Sequence, residues 1–152
     1  MPDTFEIYKL GVEMADRVSA RRGSANSFFL AVHAAMTALV GVLHQAPHSA
    51  GTTADFPFAS VLTAAAGITL AVAWWLSLRS YRDLNTAKFA VLTKLEEELP
   101  VKLFTDEWQQ LKQDPVEGWR KRYAELGQVE QVVPVVFVVI YVVALVLLYF
   151  GQ

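Results

Sequence analysis

The chain has 152 residues, of which 54% are hydrophobic and 18% are charged, and it contains no cysteine. A disordered chain is excluded, because disorder needs few apolar residues and a high net charge, whereas the net charge here is −2. The missing thiols exclude a disulfide-stabilised domain and a thiolate metal site. The length allows one small domain.

The first predicted element is an amphipathic helix within residues 1–26. Residues 4–22 carry one apolar stripe at helical spacing, formed by Ile7, Leu10, Met14 and Val18. Residues 1–26 contain four acids and four bases, whereas a helix that seeks lipid is usually rich in Lys and Arg. We therefore expect this stripe to pack on protein rather than on the membrane surface.

Three apolar runs follow, each about 20 residues long: run 1 at 27–46, run 2 at 57–79 and run 3 at 132–150. At about 1.5 Å per residue each run can cross a hydrocarbon layer of roughly 30 Å as a helix. Run 3 is far too long for a buried strand. The predicted fold class is all-α, a polytopic membrane protein with three transmembrane helices, an amphipathic N-terminal helix and a small helical module.

The basic residues predict the orientation. All 13 Lys and Arg residues lie before run 1, at the end of run 2, or between runs 2 and 3. By the positive-inside rule, residues 1–26 and 80–131 are cytoplasmic, while the short loop 47–56 and the C-terminus are external.

The segment 80–131 is the predicted cytoplasmic module. Apolar residues from Leu84 to Leu99 recur at near-helical intervals until Pro100 stops the helix. Thr105 can cap a second helix. The acidic trio Glu96–Glu98 is interpreted as a solvated helix end.

Run 1 and the residue just before it carry four polar residues that fall within about 40° of one another around a helix: Asn26, His33, Thr37 and His44. One interpretation is the lining of a water-filled path, in which His33 titrates near neutral pH. The other is hydrogen bonding between helices.

Small residues at intervals of four in run 2 predict close helix packing through Ala59, Thr63, Gly67 and Ala71. Run 1 offers a matching row in Ser27, Ala31 and Ala35. The first two membrane helices are expected to pack together, with run 3 facing lipid. Trp74 is expected at headgroup depth.

Charged residues cluster on the cytoplasmic side of runs 1 and 2 and could grip anionic headgroups, form ion pairs, or serve as ordinary inside anchors. They are Glu13, Asp16, Arg17, Arg21, Arg22, Arg79, Arg82 and Asp83.

The sequence contains no recognisable set of catalytic residues. The sequence contains no Ser-His-Asp or Glu-x-x-His arrangement and no Gly-rich phosphate loop after a strand. His44, His48 and Asp55 are thin evidence for a metal, because Pro47 lies between the histidines. Nucleic acid is disfavoured, since residues 81–131 hold more acids than bases. We expect no enzyme activity, no metal and no cofactor.

Two juxtamembrane stretches carry a resemblance. The run ADR-x-x-ARR-x-x-AN-x-FFL at 15–30 and SYRDLN-x-AKF at 80–89, followed by FTDEW at 104–108, resemble the RipA family of octameric bacterial membrane proteins. The first stretch is also similar to SLATT-type small membrane domains, proposed to be pore-forming effectors. The resemblance implies a helical inner-membrane homo-oligomer, an octamer in that family, with no catalytic residues to transfer. A third membrane helix departs from the SLATT pattern.

The leading functional hypothesis is a non-enzymatic ring with a central pore. The alternative is a scaffold or regulatory module whose cytoplasmic helices form a collar. This collar would dock a protein through Trp108, Trp119 and nearby surface. A third hypothesis is an assembly that binds anionic lipid through the arginine cluster.

Overall fold

The computed structural model describes residues 3–45, 55–113 and 126–150, and the side chains of residues 3–39, 58–110, 129–147 and 149–150. Four α-helices make up most of this part, and no strand occurs in it: α1 Thr4–Gln45, α2 Asp55–Glu96, α3 Leu103–Gln113 and α4 Leu126–Phe150. The all-α prediction is confirmed.

Helices α1 and α2 are each longer than the predicted elements. The amphipathic segment 4–22 and run 1 form one unbroken helix of 42 residues, and run 2 continues into the helix predicted from residue 81 in another 42. No proline interrupts either junction, so every junction residue keeps its backbone hydrogen bond to the residue four earlier. Expected boundaries at 26/27 and 79/80 are therefore changes of composition inside a helix.

Two stretches of described helix are long and apolar enough to cross a membrane: Phe58–Glu96 in α2 and Val129–Leu147 in α4. Most of each stretch is exposed, whereas the apolar core helix of a soluble protein would be mostly buried. Residues 27–45 of run 1 lie in α1, and the described side chains of that helix end at Leu39. A third crossing therefore stays a prediction.

Helix α2 ends in a tight turn. The amides of Glu97, Glu98 and Leu99 donate to carbonyls three residues earlier, at 3.1–3.2 Å, which is the pattern of a tightening last turn. Pro100 has no amide hydrogen to continue the series. The helix thus ends four residues before the proline, and α3 starts at Leu103.

The chain divides into two compact units. Unit 1 consists of residues 1–22 with 79–129, and unit 2 consists of residues 23–78 with 130–152. Unit 1 holds the charged ends of α1 and α2 together with α3. Unit 2 holds the apolar parts of α1, α2 and α4.

In unit 1, α1 packs through a different face from the predicted one. Its buried side carries the small residues Gly11 and Ala15, and a Cβ added at Gly11 would lie 2.7 Å from Leu92 Cδ2. Of the predicted stripe only Val18 is buried, while the other three residues are 42–57% exposed. Small side chains let the backbones of α1 and α2 approach closely. Because α1 contacts α2 through this side, its larger apolar residues lie away from the contact.

In unit 2, α2 supplies most of the core. Ala64, Ala71, Trp74 and Leu78 are buried on one of its faces. Helix α4 buries Pro134 and Tyr141 and exposes most of its valines. The predicted row of small residues on α1 is exposed instead of packed: Ser27, Ala31 and Ala35. Bulkier side chains on the neighbouring face of α1 bury more apolar area and fix its rotation.

Candidate functional site

The polar and aromatic side chains inside unit 2 form an aromatic cluster of five residues from three helices: Phe29, His33, Trp74, Phe137 and Tyr141. Helix α1 gives the first two, α2 gives Trp74, and α4 gives the last two. Rings 4.5–7 Å apart attract one another through their quadrupoles. The cluster therefore ties all three apolar helices together.

His33 is the centre of this cluster. It is fully buried, its Nδ1 lies 3.1 Å from the Tyr141 hydroxyl, and its ring stacks on Phe137 at 4.6 Å and on Trp74 at 5.7 Å. Its Nε2 has no hydrogen-bond partner among the described residues. With hydrogen on Nε2, Nδ1 accepts from the Tyr141 hydroxyl and both rings stay neutral, while the Nε2 hydrogen has no acceptor among the described residues.

Asn26, the next polar residue toward the N-terminus of α1, is bonded in the same way. Its Oδ1 accepts a hydrogen bond of 3.0 Å from the Trp74 indole Nε1. Trp74 is only 1% exposed, so its ring is enclosed within unit 2, while its depth in a membrane stays a prediction. An indole that donates inside a helix interface needs no headgroup as a partner.

The row of small residues in run 2 predicted a close approach to α1, but at Gly67 the approaching helix is α4. Gly67 lies directly beneath the ring of Tyr141, and a Cβ added there would overlap three ring atoms. Of the remaining row, Ala71 is fully buried, Thr63 is half-buried with its hydroxyl bonded 2.8 Å to the Ala59 carbonyl, and Ala59 is exposed. Gly67 thus makes room for α4, whereas the sequence suggested α1.

The predicted polar stripe divides into residues with different surroundings. Asn26 and His33 are bonded to other helices, and the Thr37 hydroxyl donates to the His33 carbonyl at 2.8 Å. The side chain of His44 lies outside the described residues. In a single subunit, then, Asn26 and His33 take part in interhelical hydrogen bonding. No group of three possible metal ligands occurs among the described residues.

Unit 1 contains a second buried polar centre, the Glu96 network of Tyr8, Glu96, Phe104 and Thr105. Glu96 is fully buried at the end of α2. Its Oε1 accepts from the Tyr8 hydroxyl and the Phe104 amide, both at 2.8 Å. Its Oε2 accepts from the Thr105 amide at 3.1 Å and the Thr105 hydroxyl at 2.9 Å. One carboxylate therefore joins the ends of three helices.

This network corrects two expectations. The first-turn amides of a helix have no partner within it, and here Glu96 of α2 caps α3. Thr105 lies inside the first turn and donates to Glu96 instead of capping the helix. The acidic trio is not uniformly solvated, because Glu96 is buried while Glu97 and Glu98 are exposed. Burial and the Glu96 carboxylate raise the pKa of the Tyr8 hydroxyl to about 12.

The predicted charged cluster lies on α1 and α2 within unit 1. Glu13 and Arg17 form an exposed ion pair of 2.6 Å one helical turn apart. Arg22 is half-buried, and the other five members are exposed: Asp16, Arg21, Arg79, Arg82 and Asp83. An exposed pair of this kind contributes about 0.3–0.5 kcal/mol to stability.

Sequence reasoning missed Tyr141, Phe137, Tyr8 and Glu96. A signal for Tyr141 was present, because it is the one hydroxyl-bearing residue between Val132 and Leu148 in an otherwise apolar run. A polar group at that depth needs a partner, and His33 is the matching deep group in run 1. No comparable signal singles out Glu96 from the two glutamates that follow it.

Comparison with known proteins gives one result. Residues 5–150 match the model of the octameric membrane protein family (8xMP). No curated protein and no solved structure matches the chain.

Proposed function

This chain belongs to the octameric membrane protein family, and we propose that it is a non-enzymatic homo-oligomer of the bacterial inner membrane. The match covers nearly the whole chain, and two helices are apolar and long enough to span. The resemblance to RipA-type octamers and SLATT domains at 15–30 and 80–89 agrees with this assignment. The expected partners are membrane lipids and copies of the chain, with no nucleic acid.

We propose three crossings, with the N-terminus and residues 80–131 in the cytoplasm and the C-terminus outside. The distribution of all 13 basic residues supports this topology. The chain has no cysteine, so single cysteines can be placed freely. A cysteine at Ser49 should react with an impermeant maleimide added outside cells. A cysteine at Ser80 should react only after lysis, and the reverse pattern would contradict the topology.

Of the pore and scaffold hypotheses, the scaffold is the one that the geometry supports better. The carrying observation is that Asn26 and His33, two members of the stripe that could line a conduit, are bonded inside the subunit. Around α3, in contrast, large apolar side chains are exposed, with Val101 at 66%, Leu103 at 60% and Trp108 at 45%. An apolar surface rimmed by polar residues is typical of a protein-binding site.

The docking test uses the tagged full chain purified from native membranes in mild detergent. A stoichiometric protein partner should co-purify with the parent and be lost with Trp108→Ala. Glu107→Ala is the matched control, since it changes the neighbouring exposed residue of α3 and should keep the partner. If no partner co-purifies, or if both variants keep it equally, docking through α3 is wrong. Trp119, the second candidate, lies outside the described residues.

A pore is the second candidate function. The observation that favours it is that Thr37, a polar residue of run 1, has an exposed side chain. The test is ion leakage from liposomes that contain the parent chain. Thr37→Val should change the leak if this hydroxyl lines a path. Thr69→Val is the matched control, because Thr69 is also exposed and its hydroxyl also bonds a carbonyl of its own helix, that of Ala65 at 2.9 Å. This variant should leave the leak unchanged. A parent that leaks no more than empty vesicles would remove the pore hypothesis.

A further inference from the structure

Unit 1 leaves one set of large apolar side chains uncovered on both of its long helices. Ile7, Leu10 and Met14 of α1 are 42%, 57% and 46% exposed, and Leu84 and Val91 of α2 are 45% and 59% exposed. We call these five residues the apolar patch. Single exposed apolar residues are ordinary, but a contiguous set marks an interaction surface.

The two helices run antiparallel in unit 1. Tyr8 bonds Glu96, a Cβ at Gly11 would touch Leu92, and Ser19 lies 3.4 Å from Asn85. Residue numbers thus rise along α1 while those of their partners fall along α2. By this register Val91 lies between the levels of Leu10 and Met14, and Leu84 lies near Ala20.

Helical geometry places both parts of the patch on one side of this pair. At about 100° per residue, the exposed stripe on each helix lies roughly 90° from the face that contacts the other helix. The rotation has the same sense in both when each is viewed from its own N-terminus. For antiparallel helices, equal rotations point to the same side, so the two stripes lie on one side of the pair and meet at the level of Val91.

Helix α3 covers the opposite side. Phe104 of α3 packs against Phe89 at 5.3 Å between ring centroids and against Tyr8 at 6.3 Å. Phe89 and Tyr8 are rotated from the α1–α2 contact in the sense opposite to the patch. Unit 1 therefore has two unlike sides, one covered by α3 and one that carries the patch.

We propose that the apolar patch is an interface between neighbouring copies of this chain. This inference rests on the proposed homo-oligomer, because a closed assembly of identical subunits must cover the same surface on every copy. Lipid suits the patch less well, since residues 1–26 carry equal numbers of acids and bases and helices that bind the membrane surface are rich in Lys and Arg. The unlike sides of unit 1 suit the head-to-tail contacts of a ring.

The first test identifies the occupant directly. A photo-reactive phenylalanine analogue replaces Leu10 in the full chain, and native membranes are irradiated. We expect cross-linked products at multiples of the chain's own mass. The control position is Ala20, which is exposed and lies about 80° around α1 and about 15 Å along it from Leu10; it should give none. Products with lipid, with another protein, or only within one chain, such as to residues 114–125, would overturn the inference.

The second test removes the interface by charge. The double variant Leu10→Asp with Val91→Asp should lose the octamer in native mass spectrometry and give smaller species with unchanged helix content. The matched control, Ala20→Asp with Ala90→Asp, puts the same charges on exposed positions of the same helices outside the patch and should keep the parent mass.

The two levels of the argument fail differently. If the parent is octameric and the patch variant stays octameric, the patch is not the interface and the homo-oligomer stands. If the parent itself is a monomer and gives no self cross-link, the proposed function is wrong together with this inference.

Discussion

The two units solve the same problem, a buried polar side chain, with opposite chemistry. In unit 2, His33 is neutral when Nδ1 accepts from Tyr141, and aromatic rings surround it. In unit 1, Glu96 presents both carboxylate oxygens to four donors, two of them backbone amides. A charge inside the apolar unit would be costly to desolvate, whereas first-turn amides already supply positive potential at Glu96.

This difference predicts how each unit responds to substitution. Glu96 holds three helix ends together by charge-assisted hydrogen bonds, so its replacement should loosen the whole of helix α3. The aromatic cluster holds its helices by shape and apolar contact, so it should be most sensitive to added volume. Each prediction below can break or sharpen that contrast.

The largest effect is expected from Glu96→Gln. Glutamine keeps the size but turns an NH₂ group toward one hydroxyl and one backbone amide. The hydroxyl can rotate to accept from the NH₂ group, whereas the amide is left without an acceptor. Breaking a buried charged network in this way costs about 3 kcal/mol. The Phe104 and Thr105 amides should then exchange their hydrogens about 100-fold faster, since 1.36 kcal/mol corresponds to a factor of ten. Hydrogen exchange followed by mass spectrometry of the α3 peptides measures this.

The matched control is Glu97→Gln. Glu97 is the exposed neighbour of Glu96, so the same change of charge should leave α3 exchange unaltered. Equal acceleration in both variants would mean that net charge, and not the Glu96 network, holds α3 in place.

The second effect tests added volume in unit 2. In Gly67→Ala the new methyl group overlaps the Tyr141 ring, which is itself buried and bonded to His33. Overpacking of this kind costs about 1–3 kcal/mol. The thermal midpoint of the purified chain in detergent should fall.

Gly23→Ala is the control for this substitution. A Cβ at Gly23 meets nothing within 4 Å, and alanine is the better helix former by about 1 kcal/mol. The midpoint should therefore stay or rise. A fall in both variants would show that helical glycine itself, rather than the Tyr141 contact, is what the protein requires.

These contacts show which parts of the structure the sequence could predict. Run length and uniform hydrophobicity predict helices, and the all-α fold follows from them. The rotation of each helix did not follow, because Ile7, Leu10 and Met14 form a clear stripe while Gly11 and Ala15 decide the packing. A stripe shows that a surface must be covered, but it does not say whether the same chain or another copy covers it.

The sites show the same limit. Polar residues in an apolar run predicted that His33 and Asn26 matter, since such groups need partners at that depth. Their partners Tyr141 and Trp74 come from distant parts of the chain, and no local pattern pairs them. Glu96 differs from Glu97 only by its position in the last turn of α2, which decides whether it meets the amides of α3.

The smallest effect is a titration. The Tyr8 hydroxyl is shielded from water and donates to Glu96, so its pKa is raised from 10.0 to about 12. Because the folded value lies above the unfolded one, this bond stabilises unit 1 fully below pH 10 and is lost as the pH rises through about 12. Absorbance of tyrosinate near 295 nm should show a late component that Tyr8→Phe reduces by one tyrosine and Tyr81→Phe leaves unchanged. In Glu96→Gln that component should move only part of the way back, because burial is the largest cause of the raised pKa and remains. A complete return toward pH 10 would instead show that the charge of Glu96 dominates, and would make the electrostatic contrast between the two units sharper than the geometry implies.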